Sequence, residues 1–221
     1  WTKDPGTITA VNVTDSKTIQ VRVSGAKNYD GFVTGTQVLT ITKRSVTLTS
    51  ETASKPYDGT ALTRPNVTGG EGFVAGEVTD IKATGSVTNV SEGEVANTIT
   101  YRPVEGKFNA DNYDITKDEG TLSILPIRDK VTVTIVGNTN SEKYDGAAKA
   151  VEGYKVTDIS NSLYKEADIA FDGTARVERV DADTYLMGLA ASQFTNTNGN
   201  FNNVEFVVTD GSLTINPRKV T

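Results

Sequence analysis

Gly120-Thr-Leu-Ser-Ile-Leu125 and Gly211-Ser-Leu-Thr-Ile-Asn216 are near-copies of one another, and Gly35-Thr-Gln-Val-Leu-Thr-Ile41 is a looser third version. Each is soon followed by an arginine (Arg44, Arg128, Arg218) and then by a Val-containing run: Ser45-Val-Thr-Leu-Thr49, Lys130-Val-Thr-Val-Thr-Ile135 and Lys219-Val-Thr221. A second set, Lys55-Pro-Tyr-Asp-Gly59 and Glu142-Lys-Tyr-Asp-Gly146, marks the early part of the period. A third set lies in its middle: Asn12-Val-Thr-Asp15, Asn89-Val-Ser-Glu92 and Arg179-Val-Asp-Ala182. Three landmarks recurring in one order are the signature of an internal repeat.

Arg44 and Arg128 are 84 positions apart, and Arg128 and Arg218 are 90 apart. Periods this long suit whole β domains in tandem; solenoid turns need only about 20–45 residues. The repeat predicts three regions: 1–43, the second half of a repeat or a small β domain; 44–127, a whole repeat; and 128–221, another whole repeat whose last three residues open a fourth. Trp1 then falls in mid-domain, so a secretion or sorting signal is expected to lie outside this segment.

Within a repeat the pattern is strand and turn. Thr18-Ile-Gln-Val-Arg-Val23 alternates with period two, as do Asn97-Thr-Ile-Thr-Tyr101 and Val204-Glu-Phe-Val-Val208. Asp58-Gly59, Gly69-Gly70, Asp145-Gly146 and Asp210-Gly211 punctuate them as turns. About seven short strands per repeat predict an all-β fold of tandem immunoglobulin-like β-sandwiches in an elongated arrangement. The alternative is a β-grasp-like repeat, which needs a helix crossing a sheet. Met187–Phe194 is the one helix-like stretch, and its Gly188 and its length allow a single turn. Ile41-Thr-Lys-Arg-Ser-Val46 and Ile124-Leu-Pro-Ile-Arg-Asp-Lys-Val131 join repeats without a Gly/Ser linker, so the joints are expected to be stiff.

Composition narrows function. The chain of 221 residues has a net charge of −6, no Cys and no His. Zinc–thiolate sites, disulfides, thiol catalysis and imidazole acid–base chemistry are therefore excluded within it. An acidic chain repels nucleic acid and anionic headgroups, and no apolar run reaches the ~18 residues of a membrane span. No nucleic-acid partner, membrane contact or cofactor is expected, and the chain is expected to be a monomer.

These residues resemble the Tyr-Asp-Gly-type (YDG/MBG-like) immunoglobulin-like repeats of Gram-positive, gut-type bacterial surface proteins. The carrying stretches are Lys55-Pro-Tyr-Asp-Gly-Thr-Ala-Leu62, Ala83-Thr-Gly-Ser-Val-Thr-Asn-Val-Ser-Glu-Gly93, Ala110-Asp-Asn-Tyr-Asp-Ile-Thr116, Tyr185-Leu-Met-Gly-Leu189, Asn200-Phe-Asn-Asn-Val-Glu-Phe206 and Asp210-Gly-Ser-Leu-Thr-Ile215. The resemblance implies a cell-surface, cell-wall or secreted location and a spacer or adhesin-like role, and it brings no catalytic residues. Residues 1–43 lack the Tyr-Asp-Gly half; Tyr29-Asp30-Gly31 aligns with Tyr113-Asp114-Ile115 near a repeat end.

Four kinds of site merit tests. Tyr57-Asp58-Gly59 and Tyr144-Asp145-Gly146 read as structural turns, with Gly at positive φ and the Tyr ring laid on the core. Asp111, Asp114, Asp181 and Asp183, with Asn109 and the Asn196/Asn198/Asn200 series, are weak calcium candidates, because none has the spacing of a calcium loop. Lys130 and Asn216 stand at plausible ends of the last repeat for the Lys–Asn isopeptide crosslink that some surface domains carry; that chemistry needs a buried carboxyl. Paired carboxylates for glycoside hydrolysis need a deep cleft with aromatic platforms, and the single Trp is at the terminus. The expectation is a non-catalytic stalk. The alternative is an adhesin that binds host glycan, mucin or extracellular matrix protein through exposed aromatics such as Phe73, Tyr154, Tyr164 and Phe201.

Overall fold

In the computed structural model, residues 9–25, 27–28 and 30–220 are described; Trp1, Tyr29 and Thr221 lie outside that range. The fold is all-β and consistent with a β-sandwich. The helical elements among the described residues are five turns of 3-10 helix, three residues each. The stretch 187–194 holds one of them, Ala191–Gln193, so nothing there crosses a sheet. Contacts divide the chain into two compact units: residues 1–53, 63–86 and 95–122, and residues 54–62, 87–94 and 123–221.

In the first unit, Arg44–Ser50 is the centre of a three-stranded sheet. It runs parallel to Tyr113–Asp118 and antiparallel to Val67–Gly69. The run is amphipathic with period two, and Val46, Leu48 and Ser50 point inward while their neighbours are exposed or half-exposed. Val46, Leu48, Ile99 and Tyr113 form the buried core. At about 1.5–3 kcal/mol for each fully buried aliphatic side chain, this small set supplies much of the unit's driving force. Phe73, Tyr101, Phe108 and Tyr113 extend it as an aromatic cluster, with Phe108 stacked on Tyr113 at 5.5 Å. The Tyr113 hydroxyl donates to Glu77 Oε2 at 2.5 Å and accepts from the Val74 N–H at 3.1 Å.

Also in this unit, Lys17–Ser24 and Phe32–Leu39 form an antiparallel hairpin, in register from Lys17/Leu39 to Ser24/Phe32. Val78–Ala83 pairs with Ile99–Pro103 across an irregularity at Thr100/Arg102. The strand expected over 97–101 therefore begins two residues late. Asn97 lies outside it, fully buried, and is held by hydrogen bonds from its side chain and backbone.

In the second unit, Val131–Gly137 lies between Tyr154–Ile159, antiparallel, and Val204–Thr209, parallel. A second three-stranded sheet sets Thr139–Lys143 parallel to Ser212–Asn216, which pairs on its other side with Thr184–Leu186. The first and last strands therefore leave one sheet and enter the other together. They do so where Gly137-Asn138 passes Asp210-Gly211. A Cβ on Gly211 would lie 2.5 Å from the Asn138 carbonyl oxygen, and one on Gly137 would lie 2.3 Å from the Gly211 nitrogen. The Asp210-Gly211 pair predicts a turn glycine. The φ of Gly211 is instead ordinary, and the position needs glycine because two backbones touch.

Two buried clusters fill this unit. One is Val131, Val133, Ile135, Tyr164, Leu189, Phe194 and Phe201; the other is Val151, Val177, Met187, Leu213 and Ile215. The alternation of Val131, Val133 and Ile135 feeds the first, and Leu213 and Ile215 feed the second. The Tyr164 hydroxyl donates to the Asp168 carbonyl at 3.1 Å, and burial pushes its pKa up to about 12.

Candidate functional site

The two Tyr-Asp-Gly turns share a backbone. Gly59 and Gly146 have φ of +78° and +85°, a conformation side chains resist. Asp58 Oδ1 accepts from Lys55 Nζ at 2.7 Å, from the Thr60 hydroxyl at 2.7 Å and from the Thr60 N–H at 2.9 Å. The Lys55 ammonium, followed by the Thr60 donors, holds the Asp58 carboxyl down at about 2. Asp145 accepts from Lys149 Nζ at 2.7 Å and from the Ala147 N–H at 3.0 Å, which likewise lower its pKa, Lys149 foremost. The tyrosines differ. Tyr57 meets the Phe201 ring edge-on at 5.8 Å, whereas Tyr144 is 38% exposed.

Two pairs of asparagines make the same clasp. In the first unit, Asn112 Oδ1 accepts from the Val13 N–H at 2.9 Å, and Asn112 Nδ2 donates to Asn12 Oδ1 at 2.9 Å. In the second, Asn200 Oδ1 accepts from the Val90 N–H at 2.8 Å, and Asn200 Nδ2 donates to Asn89 Oδ1 at 3.1 Å. Val13 and Val90 each open a 3-10 turn, Val13–Asp15 and Val90–Glu92. A helical turn leaves its first N–H groups without internal acceptors. Here the acceptor is an amide about 100 residues away in sequence, 99 for Val13 and 110 for Val90, so a capping interaction acts as a long-range tie.

A carboxylate prepares each clasp. Asp15 Oδ2 accepts from the N–H groups of Asn12 and Val11 at 2.8 and 2.9 Å. Glu92 Oε1 accepts from those of Asn89 and Thr88 at 2.6 and 2.9 Å. These donors lower both acids: Asn12 then Val11 for Asp15, Thr88 then Asn89 for Glu92. A carboxyl with a depressed folded-state pKa contributes stability above its unfolded value, and that contribution is lost as pH falls through the folded value. The Asn89 amide proton should therefore hold its chemical shift down to the ordinary glutamate value of 4.5 and move only below it. An NMR pH titration checks this; a midpoint at or above 4.5 contradicts it. Glu92→Gln should remove the transition.

The Asn196/Asn198/Asn200 series builds the loop that presents the second clasp. The Asn198 N–H donates to Asn196 Oδ1 at 2.9 Å, and the Asn200 N–H donates to Asn198 Oδ1 at 3.0 Å. Asn196 Nδ2 donates to the Phe201 carbonyl at 2.8 Å. Of the aspartates weighed for calcium, Asp114 lies on a strand opposite Ser45, Asp111 donates its N–H to Asn109, Asp183 accepts from the Thr184 N–H, and Asp181 borders the cleft beside Tyr144. Among the described residues, no group of three or more acidic side chains is placed to hold a metal ion.

Two expectations are corrected. Lys130 forms an ion pair with Glu205, while Asn216 Nδ2 donates to Ser141 Oγ and the Glu142 carbonyl, so the two crosslink candidates face different partners. Tyr164 and Phe201 are 1% and 2% exposed, and Phe73 and Tyr154 are half-buried in aromatic clusters.

Sequence reading misses Asn112, Asn200 and Asn97 as structural residues. The recurrence of Asn12 and Asn89 is the available signal; their partners lie too far along the chain to show a spacing. No family model matches the chain, and no curated protein or solved structure does either.

Proposed function

We propose that this chain is a non-catalytic run of immunoglobulin-like repeats from a bacterial surface protein, acting outside the cell as a stalk or spacer. The reading is supported by one observation: the same two-hydrogen-bond asparagine clasp recurs once in each compact unit, Asn12/Asn112 and Asn89/Asn200, each time between segments that the sequence repeat assigns to successive repeats. A spacer needs joints that resist bending. Each clasp satisfies an otherwise open backbone donor on one repeat with a side chain from the next, so bending leaves that donor unpaired. Ile127 adds to the later joint: its N–H donates to the Asn200 carbonyl at 2.9 Å, and its carbonyl accepts from the Asn202 N–H at 3.2 Å. The adhesin alternative has less support, since Tyr164 and Phe201 are buried and Phe73 and Tyr154 are half-buried. The cleft beside Tyr144 is lined by a single carboxylate, Asp181.

Small-angle scattering tests the reading. The chain should scatter as an elongated particle. The double substitution Asn112→Ala, Asn200→Ala should broaden its distance distribution through added bending, while each variant stays folded by circular dichroism. A compact wild-type particle, or a distribution the double variant leaves unchanged, contradicts the proposal.

A further inference from the structure

We propose that the cleft beside Tyr144 is a seat for the asparagine-bearing loop of a further repeat joined in tandem through residues 217–220. This rests on the tandem-repeat reading above. The second unit contains one filled seat, built on the Val90–Glu92 turn, and an open cleft at the place the sequence repeat matches to it, where residues 180–182 follow the strand Arg176–Arg179 without a 3-10 turn. In the filled one, Tyr57 leaves the end of a strand by donating its N–H to the Leu125 carbonyl at 2.9 Å. In the open one, Tyr144 does the same with the Asn216 carbonyl at 2.9 Å. Phe201 covers the Tyr57 ring, and Asn200 ties the Val90 N–H. By the internal repeat, Val180 corresponds to Val90 and Asp181 to Ser91. Val180, beside the cleft residue Asp181, is 40% exposed and Tyr144 is 38% exposed, and Tyr144, Asp181 and Ala182 enclose with the connector 217–220 a cleft of about 670 Å³.

The connecting residues fit the same occupant. Ile41 to Val46 and Ile215 to Val220 span equal lengths, with Arg44 and Arg218 in matching positions. The first of these joints ends in the strand Arg44–Ser50, whose repeat supplies Asn112 to the Asn12 clasp. The open seat differs in two ways. Arg179 stands where Asn12 and Asn89 stand, and Ala182 where Asp15 and Glu92 stand. The Val180 N–H remains as donor, but the asparagine acceptor and the organising carboxylate are gone. An asparagine loop therefore makes one of its two bonds here, and the seat is weaker than the other two. Arg179→Asn restores the missing acceptor.

The test is an extended chain in which residues 48–126 follow Thr221, continuing the register of Arg44-Ser45-Val46-Thr47. Amide hydrogen exchange is read at Val180, alongside the accessibility of the Tyr144 ring by NMR. The added repeat should fold, slow Val180 exchange by about tenfold or more, and cover Tyr144. Arg179→Asn in the extended chain should slow it further, and Tyr144→Ala should undo part of the gain. An added segment that stays unfolded, or that folds and leaves Val180 exchange unchanged, overturns the proposal. So does concentration-dependent protection of Val180 in the unextended chain, which would assign the seat to a second copy instead. The outcome is separable from the stalk reading: protection of Val180 in a chain that scatters as compact would sink the stalk and keep the seat.

Discussion

Gly211→Ala is expected to destabilise the second unit by roughly 3 kcal/mol, and Gly211→Val to prevent it from folding. Overpacking normally costs about 1–3 kcal/mol, and the upper end applies where the obstruction is backbone and cannot rotate away. A Cβ at Gly211 would meet the Asn138 carbonyl oxygen at 2.5 Å and the Met187 methyl at 2.9 Å. The methionine can move; the carbonyl belongs to the chain segment that switches sheets with Gly211 and cannot. Gly120 holds the equivalent place in the first unit, where a Cβ would lie 2.4 Å from the Glu51 carbonyl oxygen, so Gly120→Ala should be comparably severe. Gly35 opens the third copy of the same phrase, but it lies within an uninterrupted hairpin, and a Cβ there would meet nothing within 4 Å. Gly35→Ala should be neutral or stabilising by up to about 0.5–1 kcal/mol, since glycine is disfavoured inside a strand. Thermal unfolding of the three variants checks the contrast; equal tolerance at Gly35 and Gly211 would refute the crossing-strand explanation.

That contrast also separates what the sequence discloses from what it hides. The repeated Gly-(Thr/Ser) phrase is visible as a pattern, but its reason is not, because the crowding comes from a segment about 70 residues earlier. The strands are legible where alternation is strong and self-contained, as in Val131-Thr-Val-Thr-Ile135, whose odd positions all enter one core. The Asp58-Gly59 and Asp145-Gly146 turns are legible for the same reason, since their hydrogen bonds close within two to four residues. The pairing of Val131–Gly137 with Val204–Thr209 in parallel joins residues over 70 positions apart, and period-two patterning says nothing of a strand's neighbour. Aromatics in loop-like sequence are misjudged by the rule that loops face water. Tyr164 and Phe201 lie in such stretches, and their loops fold over the open end of the core. Asparagines in the same stretches pass for solvated residues. Asn200 resembles its exposed neighbours in sequence and differs from them only in what it reaches.

Asn97→Leu is expected to cost roughly 3–5 kcal/mol, although it adds apolar bulk to a fully buried position. Asn97 Oδ1 accepts from the Gly85 N–H at 3.1 Å, and Nδ2 donates to the carbonyls of Arg64 and Glu51 at 2.9 and 3.2 Å. Its own carbonyl accepts from the Ser50 hydroxyl at 2.7 Å, and its N–H donates to the Gly120 carbonyl at 2.8 Å. One amide thus ties three chain segments that no strand pairing satisfies at those points. Leucine leaves three backbone groups without their partner at about 1–3 kcal/mol each, reduced where water can reach a carbonyl. Asn97→Asp separates hydrogen bonding from shape. The carboxylate keeps the Gly85 bond but turns a negative oxygen toward two carbonyls, which together with burial raises its folded-state pKa above the unfolded value of about 3.9. A carboxyl raised in this way destabilises progressively as pH rises through that interval, so the aspartate variant should lose more stability relative to wild type at about pH 7 than at about pH 4. The acid-sensitive carboxylates Asp58, Asp15 and Glu92 drive the wild-type protein in the opposite direction. Urea unfolding of wild type and both variants at the two pH values reads the difference, and an aspartate penalty that does not grow with pH would show that Asn97 acts through packing and not through its donors.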